Sequence, residues 1–214
     1  MDKKPIIFIL EKSSTNYRVP THFQNEIIPY LKKRKIEEIV DFAAGRYLVL
    51  TKILIRHISN VSIVETKIQI KEILKNFRLF TEKENVEILS TERFFSNNKR
   101  YKAIILANTL HIIPYEEERK TLLLKITEKL AIGGFLYIKT AGKCVPNINS
   151  SNRKNKYNDG YYFKFKTLEN KIYATFRTGF TLEKLVSYIP EVLKIEKKFI
   201  VNSKELSIMF KRFR

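Results

Sequence analysis

Cysteine occurs once in the 214 residues, at position 144, so no disulfide can form within the chain and a reducing compartment is the simplest setting for it. Long apolar runs are missing too. Near the start the longest is Pro5 to Leu10, which Glu11 and Lys12 close, and that is too short for a secretory signal core or a membrane span. A soluble, cytoplasmic protein with no transmembrane segment is expected. Acidic residues are scarce: 22 Asp and Glu against 41 Lys and Arg leave a formal net charge of +19. An excess of that size favours polyanions such as nucleic acid or an anionic membrane surface. The blander reading is a lysine-, isoleucine- and asparagine-heavy composition whose charge is largely a solvated face. A complete G-x-G-x-x-G is also absent, which removes the simplest sequence sign of a dinucleotide site.

What is present in its place is a strand running into small residues at 36–47. Ile36, Ile39 and Val40 form a β-branched run suited to a buried parallel strand, followed by Asp41 and then Phe42-Ala43-Ala44-Gly45. Small side chains there let the main chain approach a nucleotide-like ligand, although the glycine positions read Ala43, Gly45 and Tyr47. The apolar spacing of Leu48, Ile53, Leu54, Ile55 and Ile58 predicts a helix from Tyr47 to Ile58, with free N–H groups at its start facing the ligand. An ordinary strand-to-helix turn with no ligand is the alternative for this stretch.

Further along, Val61 to Val64 is a second strand ending in Glu65, twenty residues after Gly45. A carboxylate at that place can accept both hydroxyl protons of an adenosine ribose. A helix from Lys67 to Leu79 follows, then a strand Val86 to Leu89 with Glu92 just beyond it, where a polar side chain can meet an adenine amino group. Tyr101 to Ala107 is a fourth strand leading into Asn108-Thr-Leu-His111-Ile-Ile-Pro114. A helix opened by three glutamates is expected next, with Leu122, Leu123, Leu124, Ile126 and Leu130 inward, stopped by Gly133-Gly134 before a fifth strand, Phe135 to Lys139. Strands alternating with helices in this way predict an α/β fold: a Rossmann-like, open, mostly parallel sheet with helices on both faces. Its ligand crevice should lie beside the first and fourth strands, where Asp41, Gly45 and Asn108 would converge.

Two regions elaborate that core. Residues 1–34 read as an N-terminal arm and helix, with apolar spacing at Phe23, Ile27, Ile28 and Leu31, and with Tyr17 and Arg18 as candidates to fold over a ligand. Within the main domain, 35–214, residues 142–177 read as an inserted basic, aromatic loop and β-hairpin. Between positions 139 and 177 there are nine lysines and arginines against two acids, interleaved with aromatic side chains. Basic groups follow phosphates and exposed rings stack on bases, so Arg153, Lys154, Lys156 and Tyr161 are the polyanion-facing candidates. A hairpin with core aromatics and solvated lysines is the alternative. Thr181 is a helix cap before Leu182 to Ile189, and Val192 to Val201 with Leu206 to Phe213 make a closing antiparallel pair.

The stretches Ile39-Val-Asp41-Phe-Ala-Ala-Gly45, Ser62-Ile-Val-Glu65, Ala107-Asn-Thr-Leu-His111-Ile-Ile-Pro114, Leu130-Ala-Ile-Gly-Gly-Phe-Leu and Thr178-Gly-Phe-Thr-Leu stand in an order that resembles the class I S-adenosylmethionine-dependent methyltransferases, over about residues 35 to 214. The resemblance implies a seven-stranded sheet with a C-terminal antiparallel hairpin, and S-adenosyl-L-methionine as cofactor. It implies Asp41, Ala43 and Gly45 at the methionine end, Glu65 on the ribose, Glu92 near the adenine, and Asn108 with Leu110 near the sulfonium and substrate. His111 is the nearest candidate base if the acceptor must lose a proton. No Asn-Pro-Pro-Tyr or Asp-Pro-Pro-Tyr follows the fourth strand, so the pattern of amino-directed DNA methyltransferases is missing. Nucleic acid, RNA or DNA, is the favoured acceptor on charge; a small-molecule acceptor and a non-catalytic nucleic-acid-binding module of the same fold are the alternatives. A nicotinamide dehydrogenase would leave the terminal hairpin unexplained.

Overall fold

The computed structural model describes residues 5–10, 20–81, 85–144, 155–168 and 171–214. In chain order these form β1 (Ile6–Phe8), a π-helical turn (Phe23–Ile27) running into α1 (Ile28–Lys33), β2 (Glu38–Phe42), α2 (Thr51–Leu54), β3 (Asn60–Glu65), α3 (Lys67–Thr81), β4 (Val86–Ser90), α4 (Thr91–Ser96) and β5 (Tyr101–Ala107). A 3-10 turn (Leu110–Ile112), α5 (Glu116–Lys129), β6 (Leu130–Ala141), β7 (Lys156–Tyr157), β8 (Gly160–Leu168), β9 (Lys171–Thr178), α6 (Leu182–Val186), β10 (Leu193–Val201) and β11 (Glu205–Arg212) complete the chain.

Seven strands make one sheet in the order β10-β11-β6-β5-β2-β3-β4. The five from β2 to β6 pair in parallel, while β11 lies antiparallel between β6 and β10. Strand order reverses between β2 and β5, so the gap beyond their carboxyl ends is where an open α/β sheet admits a ligand. Both faces are covered, and alternation along each strand assigns the residues. Val40, Phe42, Ile104 and Leu106 enter the core under α4, α5 and α6, whereas Ile39, Ala103 and Ile105 enter the one under α1 and α2.

The expected helix from Tyr47 to Ile58 reduces to four residues, Thr51–Leu54. Leu48 has a φ of +50°, a left-handed conformation that an α-helix of L-residues cannot contain. Its apolar side chains are nonetheless used: Leu48, Leu50, Ile53, Leu54 and Ile58 are all buried. The free N–H groups of a long helix start are therefore not available, and the loop itself borders the crevice. In α3, Ile73 is buried but Ile68 and Leu74 are exposed; in α5, Leu124 is exposed, and Arg119 takes a fully buried place among Leu123 and Ile126.

The inserted hairpin joins the start of the chain. β1 pairs in parallel with β9, which pairs with β8, which pairs with β7, giving a second sheet of order β1-β9-β8-β7. Asp159, in the β7–β8 turn, fastens this sheet to the main one. It accepts from Arg119 Nη2 at 2.5 Å and Lys184 Nζ at 2.6 Å, and those cations hold its carboxyl below the usual range against the effect of burial. Arg119 also donates to the Ile113 carbonyl at 2.8 Å and lies against the rings of Phe180 and Tyr188. A buried guanidinium with an acid, a carbonyl and two ring faces is the arrangement that makes such burial tolerable. No helix among the described residues is long and apolar enough to cross a membrane.

Candidate active site

A cavity of about 720 Å³ opens beyond the carboxyl ends of β2, β3, β5 and β6, within the range of small-ligand sites. Asp41, Ala43, Gly45, Glu65, Asn108 and His111 all line it. Tyr47 lines it without filling it, its ring against the Arg46 guanidinium. Two of the lining residues that end adjacent strands are left-handed without being glycine: Ala43 at +56° and Asn108 at +58°. Such backbone costs free energy and persists where the surroundings impose it, most often beside ligands. At both positions the main chain turns sharply off its strand: Ala43 N–H donates to the Val64 carbonyl and Asn108 N–H to the Lys139 carbonyl, both at 2.8 Å.

The acids are held by the protein. Asp41 is 2% exposed and accepts from Thr51 Oγ1 at 2.6 Å. Burial pushes its carboxyl up to about 7, with the Thr51 hydroxyl opposing and the neighbouring Glu65 charge adding to the rise. Glu65 is buried and bridges two loops: Oε1 accepts from Gly45 N–H at 2.5 Å and Oε2 from Thr66 N–H at 3.1 Å.

At the opposite side, Lys139 Nζ, from the end of β6, donates to Glu205 Oε2 at 2.7 Å. Arg177 comes from β9 and Lys204 from the turn before β11; both line the cavity with Lys139 and Glu205. Close packing of Gly142 fixes that turn. A Cβ at position 142 would sit 2.6 Å from the Asn202 carbonyl, and Gly142 N–H donates to the Lys204 carbonyl at 2.9 Å. His111 keeps some surface toward the cavity while its Nδ1 is buried and has no hydrogen-bond partner. Burial first, then the Arg177 and Lys139 charges, lower its pKa to about 3, so the ring is neutral at physiological pH and is a weak base.

Among the described residues, several buried polar atoms without a hydrogen-bond partner belong to residues that line the cavity: Gln69 Oε1, His111 Nδ1, Thr140 Oγ1 and Glu205 Oε1, the last 3.6 Å from His22 Nε2. Others, Arg119 Nε and Tyr188 Oη among them, lie outside the lining. Groups of this kind are rare in folded proteins and call for a polar ligand or solvent.

The remaining expected site residues fall elsewhere. Glu92 points to solvent, 3.7 Å from Lys67, because Ser90 caps α4 by accepting from Arg93 N–H at 3.2 Å and turns the first helical turn outward; Thr91 lines the cavity instead. Leu110 is fully buried in the core, since the 3-10 turn directs it inward while Thr109, His111 and Ile112 face the cavity. Lys156 is exposed on β7, and Tyr161, half-buried on β8, is not part of the lining. Arg18, Arg153 and Lys154 lie outside the described residues, as does Tyr17. Sequence reasoning passed over Thr51, Thr140, Lys139, Arg177, Lys204 and Glu205. For Thr51 a signal existed: a hydroxyl ten residues after a strand-end acid, on the following turn.

No protein-family model matches the chain, and no curated protein sequence does. Solved structures do. An S-adenosylmethionine-dependent methyltransferase from Clostridium acetobutylicum is 14% identical, with a TM-score of 0.65 over 95% of this chain and 94% of that one. A methyltransferase of the same description from Methanosarcina mazei is also 14% identical, with a TM-score of 0.65 over 86% and 97%. The N-methyltransferase NodS from Bradyrhizobium japonicum, in complex with S-adenosyl-L-homocysteine, is 13% identical, with a TM-score of 0.57 over 89% and 87%. The fold is that of the class I S-adenosylmethionine-dependent methyltransferases, with the seven-stranded sheet and its antiparallel end as expected.

Proposed function

We propose that the chain is an S-adenosylmethionine-dependent methyltransferase acting on a small molecule bound in the same cavity. The observation that carries this reading is the meeting of Asp41, Glu65 and Asn108, from three strand ends, around one hollow. The cavity suits the cofactor in its chemistry: a buried acid at a strand end for a ribose, small residues 43–45 beside it, Thr91 and the unpartnered Gln69 amide oxygen nearby. Neighbours of the same fold named as methyltransferases add support, NodS with S-adenosyl-L-homocysteine bound.

S-adenosylmethionine, when bound, supplies a methyl group already activated by the positive sulfur. The protein's work is then to hold the acceptor in line and keep water out, and such positioning is worth on the order of 7 to 11 kcal/mol in favourable cases. Glu65 holds the ribose end, and Asp41 with Glu65 favours a cation beside β2. Asn108 positions the reacting region. His111, neutral and weakly basic, hydrogen-bonds the acceptor rather than taking its proton. Isothermal titration with S-adenosyl-L-homocysteine tests the reading: one saturable site is expected in the wild-type chain, and its absence would refute methyl transfer.

A nucleic-acid acceptor is the second reading. Lys164, Lys166 and Lys171 are exposed on the β8–β9 hairpin together with Phe165, and the net charge of +19 favours it. Against it, the rings of Phe8, Tyr157 and Phe176 pack edge-to-face on one another, so part of the aromatic content of this region is core. Binding to single-stranded oligonucleotides that weakens steeply with salt, with methyl incorporation into them, would select it.

A further inference from the structure

Away from the cavity, toward the amino ends of the parallel strands, basic side chains and rings gather on the α1 side of the sheet. Lys32, Lys33, Arg34 and Lys35 follow one another at the end of α1, all exposed. Lys194 and Lys197 are exposed on β10, and Lys211 is half-buried on β11, where it pairs with Phe135 of β6. Ring contacts join these segments into one surface. Arg34 lies 5.3 Å from the centre of the Tyr30 ring and 5.7 Å from that of Phe135. Lys197 is 4.6 Å from Phe199 and 5.7 Å from Tyr30. Lys211 is 5.9 Å from Phe135 and 5.6 Å from Phe213, which Lys194 meets at 5.5 Å. The surface continues past α2: burial first, then the charges of Lys32 and Arg56, lower the pKa of His57.

One acid serves these cations, and it is committed to α1. Glu196 accepts from Tyr30 Oη at 2.9 Å and pairs with Arg34. Among the described residues no carboxylate forms an ion pair with Lys32, Lys197 or Lys211. Two ordinary uses of lysine cover part of the pattern. Cations at a helix end face the negative end of its dipole, and lysines on an edge strand such as β10 deter pairing with other chains. Neither accounts for Lys211, on the interior strand β11, nor for four consecutive cations after a helix of six residues. Like charges gathered without acids keep their field, and such a field draws a polyanion. A membrane surface takes an amphipathic helix with a broad apolar face, which α1, short and with Ile28 and Leu31 buried, does not offer. Rings interleaved with the cations, Phe213 at 50% exposure among them, suit unpaired bases instead.

We propose that this surface docks single-stranded nucleic acid, with phosphates along Lys32, Lys197 and Lys211 and bases stacked on Phe213 and on the Arg34 guanidinium, itself against the Tyr30 ring. The strand is a docked partner and not the methyl acceptor. Phe135 stands four residues before Lys139 along β6, which at about 3.3 Å per residue sets this surface roughly 13 Å from the cavity wall. The proposal goes beyond the small-molecule reading and does not depend on it: a chain docked through this surface keeps its cavity open to cofactor and acceptor. It also places the contact away from the β8–β9 hairpin.

The test is fluorescence anisotropy of a labelled oligothymidylate titrated with the full chain over a range of salt, with a base-free deoxyribose-phosphate oligomer and phosphatidylglycerol vesicles as further probes. Wild type is compared with a triple variant carrying Lys32→Gln, Lys197→Gln and Lys211→Gln, with Phe213→Ala, and with a hairpin variant carrying Lys164→Gln, Lys166→Gln and Lys171→Gln. Expected is saturable binding to oligothymidylate whose logarithmic salt slope falls by about two units in the first variant, since each phosphate contact on a single strand contributes about 0.7. The hairpin variant should change that slope by less than about half a unit. Phe213→Ala should weaken binding to oligothymidylate about fivefold and leave the base-free oligomer within about twofold. Saturating S-adenosyl-L-homocysteine should leave the strand bound. An unaltered slope in the first variant overturns the proposal, as does an equal fall in the hairpin variant. So does a base-free oligomer bound as tightly as oligothymidylate, displacement of the strand by S-adenosyl-L-homocysteine, or saturable binding to the vesicles alone. A chain that binds the strand but not S-adenosyl-L-homocysteine would remove the methyl-transfer reading and leave this surface standing.

Discussion

The two ends of the cavity carry buried charge in different ways. At β2 and β3 the protein supplies the partners itself: Thr51 donates to Asp41, and Gly45 and Thr66 N–H groups donate to Glu65. At β6 and β9 the cations outnumber the carboxylates, and Thr140 and His111 keep polar atoms unpartnered. A third group, Arg119 with Asp159 and the Ile113 carbonyl, shows what a structural cation looks like here, fully buried and with an acid in contact. The difference teaches that the cavity's acids are fixed by neutral donors, whereas its buried cation Lys139 is fixed, as Arg119 is, by an acid, Glu205.

The sharpest way to break that comparison is at the structural pair. Asp159→Ala leaves Arg119 buried without its acid and should cost about 3 to 5 kcal/mol in denaturant unfolding; a loss below about 1 kcal/mol would mean that Arg119 is no more structural than the cavity cations. Next comes Asp41. Burial holds its folded carboxyl up at about 7, above the ordinary aspartate value of about 4, so the folded state binds more protons than the unfolded state between those values. Its contribution is therefore full below about pH 4 and is lost as pH rises to 7, by at most about 1.4 kcal/mol per pH unit. Asp41→Asn should remove that slope from a Tm-against-pH profile, and an unaltered profile would show the carboxyl to be solvated.

Glu65→Ala should weaken S-adenosyl-L-homocysteine binding by about 1 to 3 kcal/mol through lost charge-assisted hydrogen bonds. Glu65→Gln, which keeps acceptor oxygen for Gly45 N–H, separates loop support from ligand contact, and unchanged affinity in both would remove the ribose role. The smallest effect is at Lys204: Lys204→Gln should alter unfolding free energy by less than about 0.5 kcal/mol, because an exposed lysine in a turn contributes little to the fold. A larger loss would move Lys204 into the structural group with Arg119.

The same contrast explains what the sequence makes legible. Asp41, Glu65 and Asn108 each sit directly at a strand end, and a period-2 or continuous apolar run locates strand ends to within a residue or two, so the acidic end follows from local pattern. Lys139, Arg177 and Lys204 come from three segments separated by 38 and 27 positions, and each alone resembles the solvated lysine or arginine of any strand or turn. Only the pairing of β6 with β11 and the Gly142 contact bring the first and last of them together. Helix α2 failed for a different reason. The spacing of Leu48, Ile53 and Leu54 fits a helix, and the residues are buried as that spacing requires, but a left-handed Leu48 leaves no trace in hydropathy. At Glu92 and Leu110 the reading missed by one residue, because a helix cap and a 3-10 turn rotated the neighbour, not the named side chain, into the cavity.

Methyl transfer stands or falls on whether one hollow takes an adenosyl ligand through its acidic end. Titrating 5′-methylthioadenosine into the wild-type chain and into Glu65→Ala asks this directly. A single saturable site, weakened at least fivefold by the substitution, is the predicted result; no saturable binding at millimolar ligand, or equal affinity in the two proteins, would contradict it.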